Sequence, residues 1–140
     1  MMTRAEAVAL RSKMENIYSM AIPSMTPEQV IANRILCKPW APGAYNVGNV
    51  RSTANGIWYC CQDHDSTNDP SWNPDEARAL WSPYHGTTPE TALPFVAPTG
   101  AHDMYKSGEY MIYTDGKLYY CTEDTAYSPT DYDRAWTEVV

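Results

Sequence analysis

Phenylalanine occurs once in these 140 residues, against 11 Tyr and 5 Trp. A core built from this set must use rings that carry a hydroxyl or an indole N–H, and such rings serve equally well on an exposed binding face. Long apolar runs are also missing. The run from Ala7 to Leu10 is cut by Arg11 and Lys13, so neither a signal peptide nor membrane insertion is expected. Without an export signal, the four cysteines (Cys37, Cys60, Cys61, Cys121) are expected as thiols and not as a disulfide framework. Positive charge is scarce. Ten Lys and Arg stand against 17 Asp and Glu, for a formal net charge of −7, and no basic cluster interrupts that balance. Such a surface repels a phosphate backbone, so nucleic acid is not expected as a partner. A Ser-His-Asp motif, a glycine-rich phosphate loop and H-E-x-x-H are all lacking.

What the chain does contain is an internal repeat. An offset of 60 pairs Tyr45 with Tyr105, Gly48 with Gly108, Gly56 with Gly116, Tyr59 with Tyr119 and Cys61 with Cys121. Beyond the cysteines, an offset of 55 pairs Trp72 with Tyr127, Pro74 with Pro129 and Trp81 with Trp136; upstream it pairs Pro39-Trp40 with Pro94-Phe95. The changes of offset fall where loops absorb length differences. Asn55-Gly56 and Asp115-Gly116 lie between β-rich runs and predict two hairpins with type I′ turns. The expected fold is mainly β, two small antiparallel three-stranded modules in tandem at 37–83 and 93–140. Residues 84–92 are either a short linker or an ordered strap across both units.

Residues 1–36 read differently, as an α-helical N-terminal segment for assembly or attachment. Thr3 can cap a helix whose Ala7, Leu10, Met14, Ile17 and Ala21 follow a 3-4-3-4 spacing, and Pro23 ends it. Thr26-Pro27-Glu28-Gln29 signals a second helix start. Two uses of the seam stand open: packing on the chain's own β units, or self-association into a homo-oligomer, with a trimer as the guess.

The order Trp40…Tyr45-x-x-Gly48-x-Val50…Gly56-x-x-Tyr59-x-Cys61…Pro74…Trp81 resembles the family 5/12 carbohydrate-binding modules, known from chitinases and cellulases and widespread in bacteriophage tail proteins. The second repeat keeps the order, with Phe95, Tyr110 and Tyr127 at the positions of Trp40, Val50 and Trp72. The resemblance implies a compact β fold whose exposed rings stack on a polysaccharide. It also implies a phage-tail location in the virion after assembly in the host cytoplasm, with a cell-surface polysaccharide and other tail proteins as partners.

Trp81 and Trp136 close each unit and are expected in the core, together with Tyr45, Tyr105, Tyr59 and Tyr119. Trp40, Trp58, Trp72, Tyr120 and Tyr127 are the expected sugar-stacking residues, because they lie in loops or alternate with the core Tyr of their strand. Consecutive strand residues point to opposite faces, so one of Trp58 and Tyr59 is expected outside. Cys60-Cys61-x-x-His64 invites a metal reading completed by Cys37 or Cys121, but adjacent cysteines do not match zinc spacing, so no metal or cofactor is expected. Asp63, Asp65, Glu123 and Asp124 are acids that a glycosidase would use, yet nothing in the sequence sets them opposite one another across a cleft. A binding protein is expected, not an enzyme.

Overall fold

The computed structural model describes residues 1–140. Helix α1 (Arg4–Ala21) starts at a capping box in which Thr3 and Glu6 bond reciprocally, and α2 (Pro27–Ala32) starts at the same device made by Thr26 and Gln29. Nine strands follow: β1 (Ala44–Tyr45), β2 (Val50–Thr53), β3 (Gly56–Cys60), β4 (His64–Asp65), β5 (Trp81–Pro83), β6 (Leu93–Pro94), β7 (Tyr110–Ile112), β8 (Leu118–Cys121) and β9 (Trp136–Val139). They form three sheets, ordered β1-β4, β2-β3-β5 and β6-β7-β8-β9. With 30% helix and 24% strand, the chain is a mixed α/β fold and not the mainly β protein expected. Beyond α1 and α2 of the expected helical N-terminal segment, the helix is made of short 3₁₀ turns, four of them between strands, where the strand-like sequence pattern hides them.

Equivalent hydrogen bonds recur in the two halves. Gly48 N donates to Cys60 O and Gly108 N to Cys121 O, both at 2.9 Å. Val47 N and Ser107 N donate to the carboxylates of Asp63 and Asp124. Tyr45 OH meets the backbone of Ala41, and Tyr105 OH that of Val96. The Tyr-x-x-Gly motif is a β-turn, closed by Asn49 N to Asn46 O and by Glu109 N to Lys106 O. Gly48 (φ 92°) and Gly108 (φ 99°) supply the positive φ that its third position needs. The edges of the sheets differ. A parallel pair β6-β7 borders the second sheet, where the first has only the single parallel bridge Pro39–Ser52.

The hairpins differ by one residue, which corrects the sequence alignment. Thr53 pairs with Gly56 across a two-residue loop, whereas Ile112 is the last ladder partner of Leu118. In the second hairpin Tyr113 N bonds Lys117 O, and Gly116 (φ 79°) follows a tight turn. No residue other than glycine has positive φ, so neither turn is type I′. Downstream, the partner of Cys121 is Cys60 and not Cys61. Cys60 pairs with Trp81 as Cys121 pairs with Trp136, and both thiols donate to a carbonyl two residues on.

The N-terminal segment packs on the first β unit. Tyr18, Val30 and Ile31 meet Cys37, Val50, Ile57 and Leu93 in one cluster, and the Tyr18 hydroxyl donates to Val30 O at 2.8 Å. On the other face of the same sheet, Tyr45, Trp58, Cys60, Trp81 and Val96 form a second cluster. The β2-β3-β5 sheet is thus covered on both sides. The second unit keeps its own core of Tyr105, Met111, Cys121, Ala135 and Trp136.

Residues 84–92 form a strap that contacts both α2 and the second half of the chain. Glu28 of α2 accepts from Thr87 N and Oγ1 and from Thr91 Oγ1, at 2.6 to 2.7 Å. His85 stacks on Tyr105 at 3.8 Å and bonds Glu109. A side chain at Gly86 would meet Thr91 O at 2.1 Å, so the strap closes only around glycine. Across the boundary, Arg78 donates to Asp103, whose side chain is 1% exposed, and to Ala97 O. Glu28→Ala is expected to loosen the strap by about 1–2 kcal/mol, the worth of hydrogen bonds to a charged acceptor. Faster amide exchange confined to 84–92 would register the change; unchanged protection there would contradict it.

Candidate functional site

Trp81 is fully buried, and its indole N–H donates to the carbonyl of Trp72 at 3.2 Å. The core residue thereby holds the loop that presents Trp72, which is 39% exposed. A polar cleft of about 800 Å³ opens beside it, lined by Gln62, Asp63, His64, Asp65, Ser71, Trp72 and Glu76 over Ala77 and Leu80. The His64 ring lies 6.3 Å from that of Trp72 and 5.6 Å from that of Trp81, forming a tier between surface and core.

The cleft's polar groups are partly held in place. Asp63 accepts from Val47 N at 2.7 Å and Glu76 from Asn73 Nδ2 at 2.8 Å. Hydrogen bonds from the side chain and backbone of Thr67 hold the Asp65 carboxyl below its ordinary range, so it is ionised at neutral pH. His64 Nδ1 lies 2.7 Å from Gln62 O and must carry the proton that bonds that carbonyl. It therefore does not accept from the Cys60 thiol 3.6 Å away, which itself points at Gln62 O. Burial pushes the Cys60 thiol up, which disfavours a thiolate nucleophile. Cys60 is buried and Cys61 exposed, so the adjacent pair diverges and does not chelate one ion. No group of three or more His, Cys, Asp or Glu side chains is placed to hold a metal.

The five expected stacking residues do not form one surface. Trp72 and Tyr127 occupy equivalent positions, since Trp136 Nε1 donates to Tyr127 O as Trp81 does to Trp72 O. Tyr127 is 62% exposed, with Tyr132 as its ring neighbour at 6.5 Å. Tyr120 is half-buried on the outer face of the second sheet, 5.0 Å from Tyr110. Trp40 is half-buried against the second core cluster, beside a shallow depression with Ser52, Thr53, Asn73 and Asp75.

Trp58 lies in the core and not on the surface expected of it. It is fully buried, its Nε1 donates to Thr53 Oγ1 at 2.9 Å, and the Arg78 guanidinium covers its ring at 5.1 Å. Strand alternation alone predicts one wet face for this strand. Because the helices and strap cover that face, Tyr59 is half-buried against Tyr84 and neither ring is free. The sequence does not mark Gln62, His64, Ser71 and Glu76 as neighbours of Trp72, since they converge only after two loops fold together. The available signal was the cluster of polar residues after Cys61, each able to hydrogen-bond a ligand.

Scanning the chain against protein-family models gives no match, and a search among curated proteins gives none either. No helix is long and apolar enough to cross a membrane.

Proposed function

We propose that this chain is a non-catalytic polysaccharide-binding protein, a tail accessory or receptor-binding component of a phage virion that recognises a host-surface glycan. On this reading the two halves are tandem carbohydrate-binding-like modules. One observation carries it: Trp72 presents a flat ring at the rim of a cleft edged by Gln62, Asp63, Asp65 and Glu76. A pyranose has an apolar C–H face and a hydroxyl edge, and this arrangement offers a partner to each.

Trp72→Ala is expected to weaken binding by about 1–2 kcal/mol, roughly five- to thirtyfold in Kd, with the fold intact. Pull-down on chitin, cellulose and bacterial cell walls, alongside circular dichroism, measures both. Equal binding by the variant would remove Trp72 from the site, and no retention of the native chain on any glycan would remove the function.

A second reading has its own observation. The outer face of the second sheet shows Tyr110, Ile112, Leu118 and Tyr120, where the matching face of the first sheet is covered by α1 and α2. A half-exposed apolar β face suits a protein neighbour, as in a structural virion component whose β units dock other proteins.

A further inference from the structure

We infer that the cleft beside Trp72 selects a hexosamine whose amine is free and protonated, as in a de-N-acetylated glucosamine polymer, over its N-acetylated counterpart. The inference rests on the glycan-binding reading and names the charge of the ligand. Three carboxylates, Asp63, Asp65 and Glu76, line this cleft, and no Lys or Arg does. None of the three belongs to an ion pair. Each commits one oxygen to the chain: Asp63 Oδ1 to Val47 N, Asp65 Oδ1 to Thr67, and Glu76 Oε2 to Asn73 Nδ2. The other oxygen of each is free of hydrogen bonds within the chain. His64 adds a fourth acceptor. With its proton held on Nδ1 by Gln62 O, its Nε2 is a bare lone pair, buried at the cleft without a partner in the chain.

The second repeat shows what is missing. Asp124 occupies the position of Asp63, each accepting from a backbone N–H of the Tyr-x-x-Gly turn, and Lys106 lies 3.8 Å from it. The residue matching Lys106 in the first turn is Asn46. Thr125 pairs with Tyr105 as His64 pairs with Tyr45, and Ala126 follows it where Asp65 follows His64. The first unit thus gathers acceptors and omits the cation that its twin supplies from within.

An ammonium group has three donors and no acceptor, the complement of this lining. An N-acetyl group offers one N–H and a carbonyl that meets no cation here, and a uronic acid would bring a further negative charge. The indole of Trp72 attracts a cation as well as an apolar C–H face. Hydrogen bonds from Thr67 keep Asp65 ionised in the mild acid that protonates such an amine.

Titration calorimetry in mildly acid, low-salt buffer compares the glucosamine trisaccharide with its N-acetylated form. The amine form is expected to bind about tenfold tighter, the worth of one hydrogen bond between charged groups. Added salt should shrink the advantage. Asn46→Lys, which plants the second unit's cation beside Asp63, is expected to erase it; Asn46 is exposed and the second unit folds with lysine there, so the fold tolerates the change. Because an acidic chain attracts any polycation, Glu90→Gln with Asp133→Asn removes two charges outside the cleft and is expected to keep the preference. Asp65→Asn with Glu76→Gln removes two within it and is expected to lose it. Equal or tighter binding of the N-acetylated sugar overturns the inference and leaves the glycan reading standing, and so does an equal drop in both double variants. Failure of both sugars to bind removes that reading and this inference with it. Retention on chitosan or on de-N-acetylated peptidoglycan, each against its N-acetylated parent, then names the source of the amine; retention on neither overturns the inference.

Discussion

Trp58→Ala is expected to unfold the first β unit, whereas Trp72→Ala leaves it folded. Trp58 has no exposed surface, packs with Tyr45, Cys60 and Trp81, and loses both the bond to Thr53 and the Arg78 contact when truncated. Emptying such a site costs about 3–5 kcal/mol, comparable to much of the net stability of a small domain. Urea unfolding followed by tryptophan fluorescence separates the two variants. If Trp58→Ala keeps the native midpoint while Trp72→Ala loses it, the assignment of inside and outside is wrong.

Asp103→Ala is expected to cost about 3–5 kcal/mol, because it leaves the Arg78 guanidinium without its carboxylate at a buried boundary. The carboxylate also accepts from Thr99 N and Oγ1 and from Gly100 N. Burial alone would raise its pKa, but these bonds outweigh burial and hold the carboxyl below its ordinary range, with His102 adding in the same direction. A lowered folded-state pKa contributes stability above the unfolded value, near pH 4, and loses it as the pH falls through the folded one. Asp103→Asn should therefore be less stable than the native chain at neutral pH, with the gap narrowing in acid. Urea midpoints of the two proteins across that range test this, since every other carboxylate contributes to both. A gap that stays constant down to about pH 3 would contradict the lowered pKa.

Much of the scaffold was legible. The capping boxes, the Tyr-x-x-Gly turn, and the closing Trp81 and Trp136 were each set by short-range chemistry that sequence displays. The phase of the second strand was not. Gly-x-x-Tyr-x-Cys matches at an offset of 60 only because Cys60-Cys61 and Tyr119-Tyr120 are doublets. An offset of 61 pairs Tyr59 with Tyr120, Cys60 with Cys121 and Asp63 with Asp124, and the hydrogen bonds follow it. A one-residue slip exchanges the faces of a strand, so the error carried Trp58 to the wrong side. The half-burial of Tyr59 depends on long-range packing: α1 and α2 cover its face, which strand alternation alone expects to be wet. The same limit hid the cleft, whose lining comes from residues 62–65 and 71–80.

The strap and the Arg78–Asp103 bridge tie the half that carries Trp72 to the half that carries Tyr127, which narrows the range of spacings between the two rings. Two contact points on a flexible tether accommodate many spacings and lose tether entropy with each, whereas two points on one body lose none and accept few. On the proposed glycan-binding reading, the chain would then act as a gauge of length for a polymer of regular repeat. Oligomers long enough to reach both rings would gain abruptly in affinity over those one unit shorter, and polymers of another pitch would engage one ring at a time.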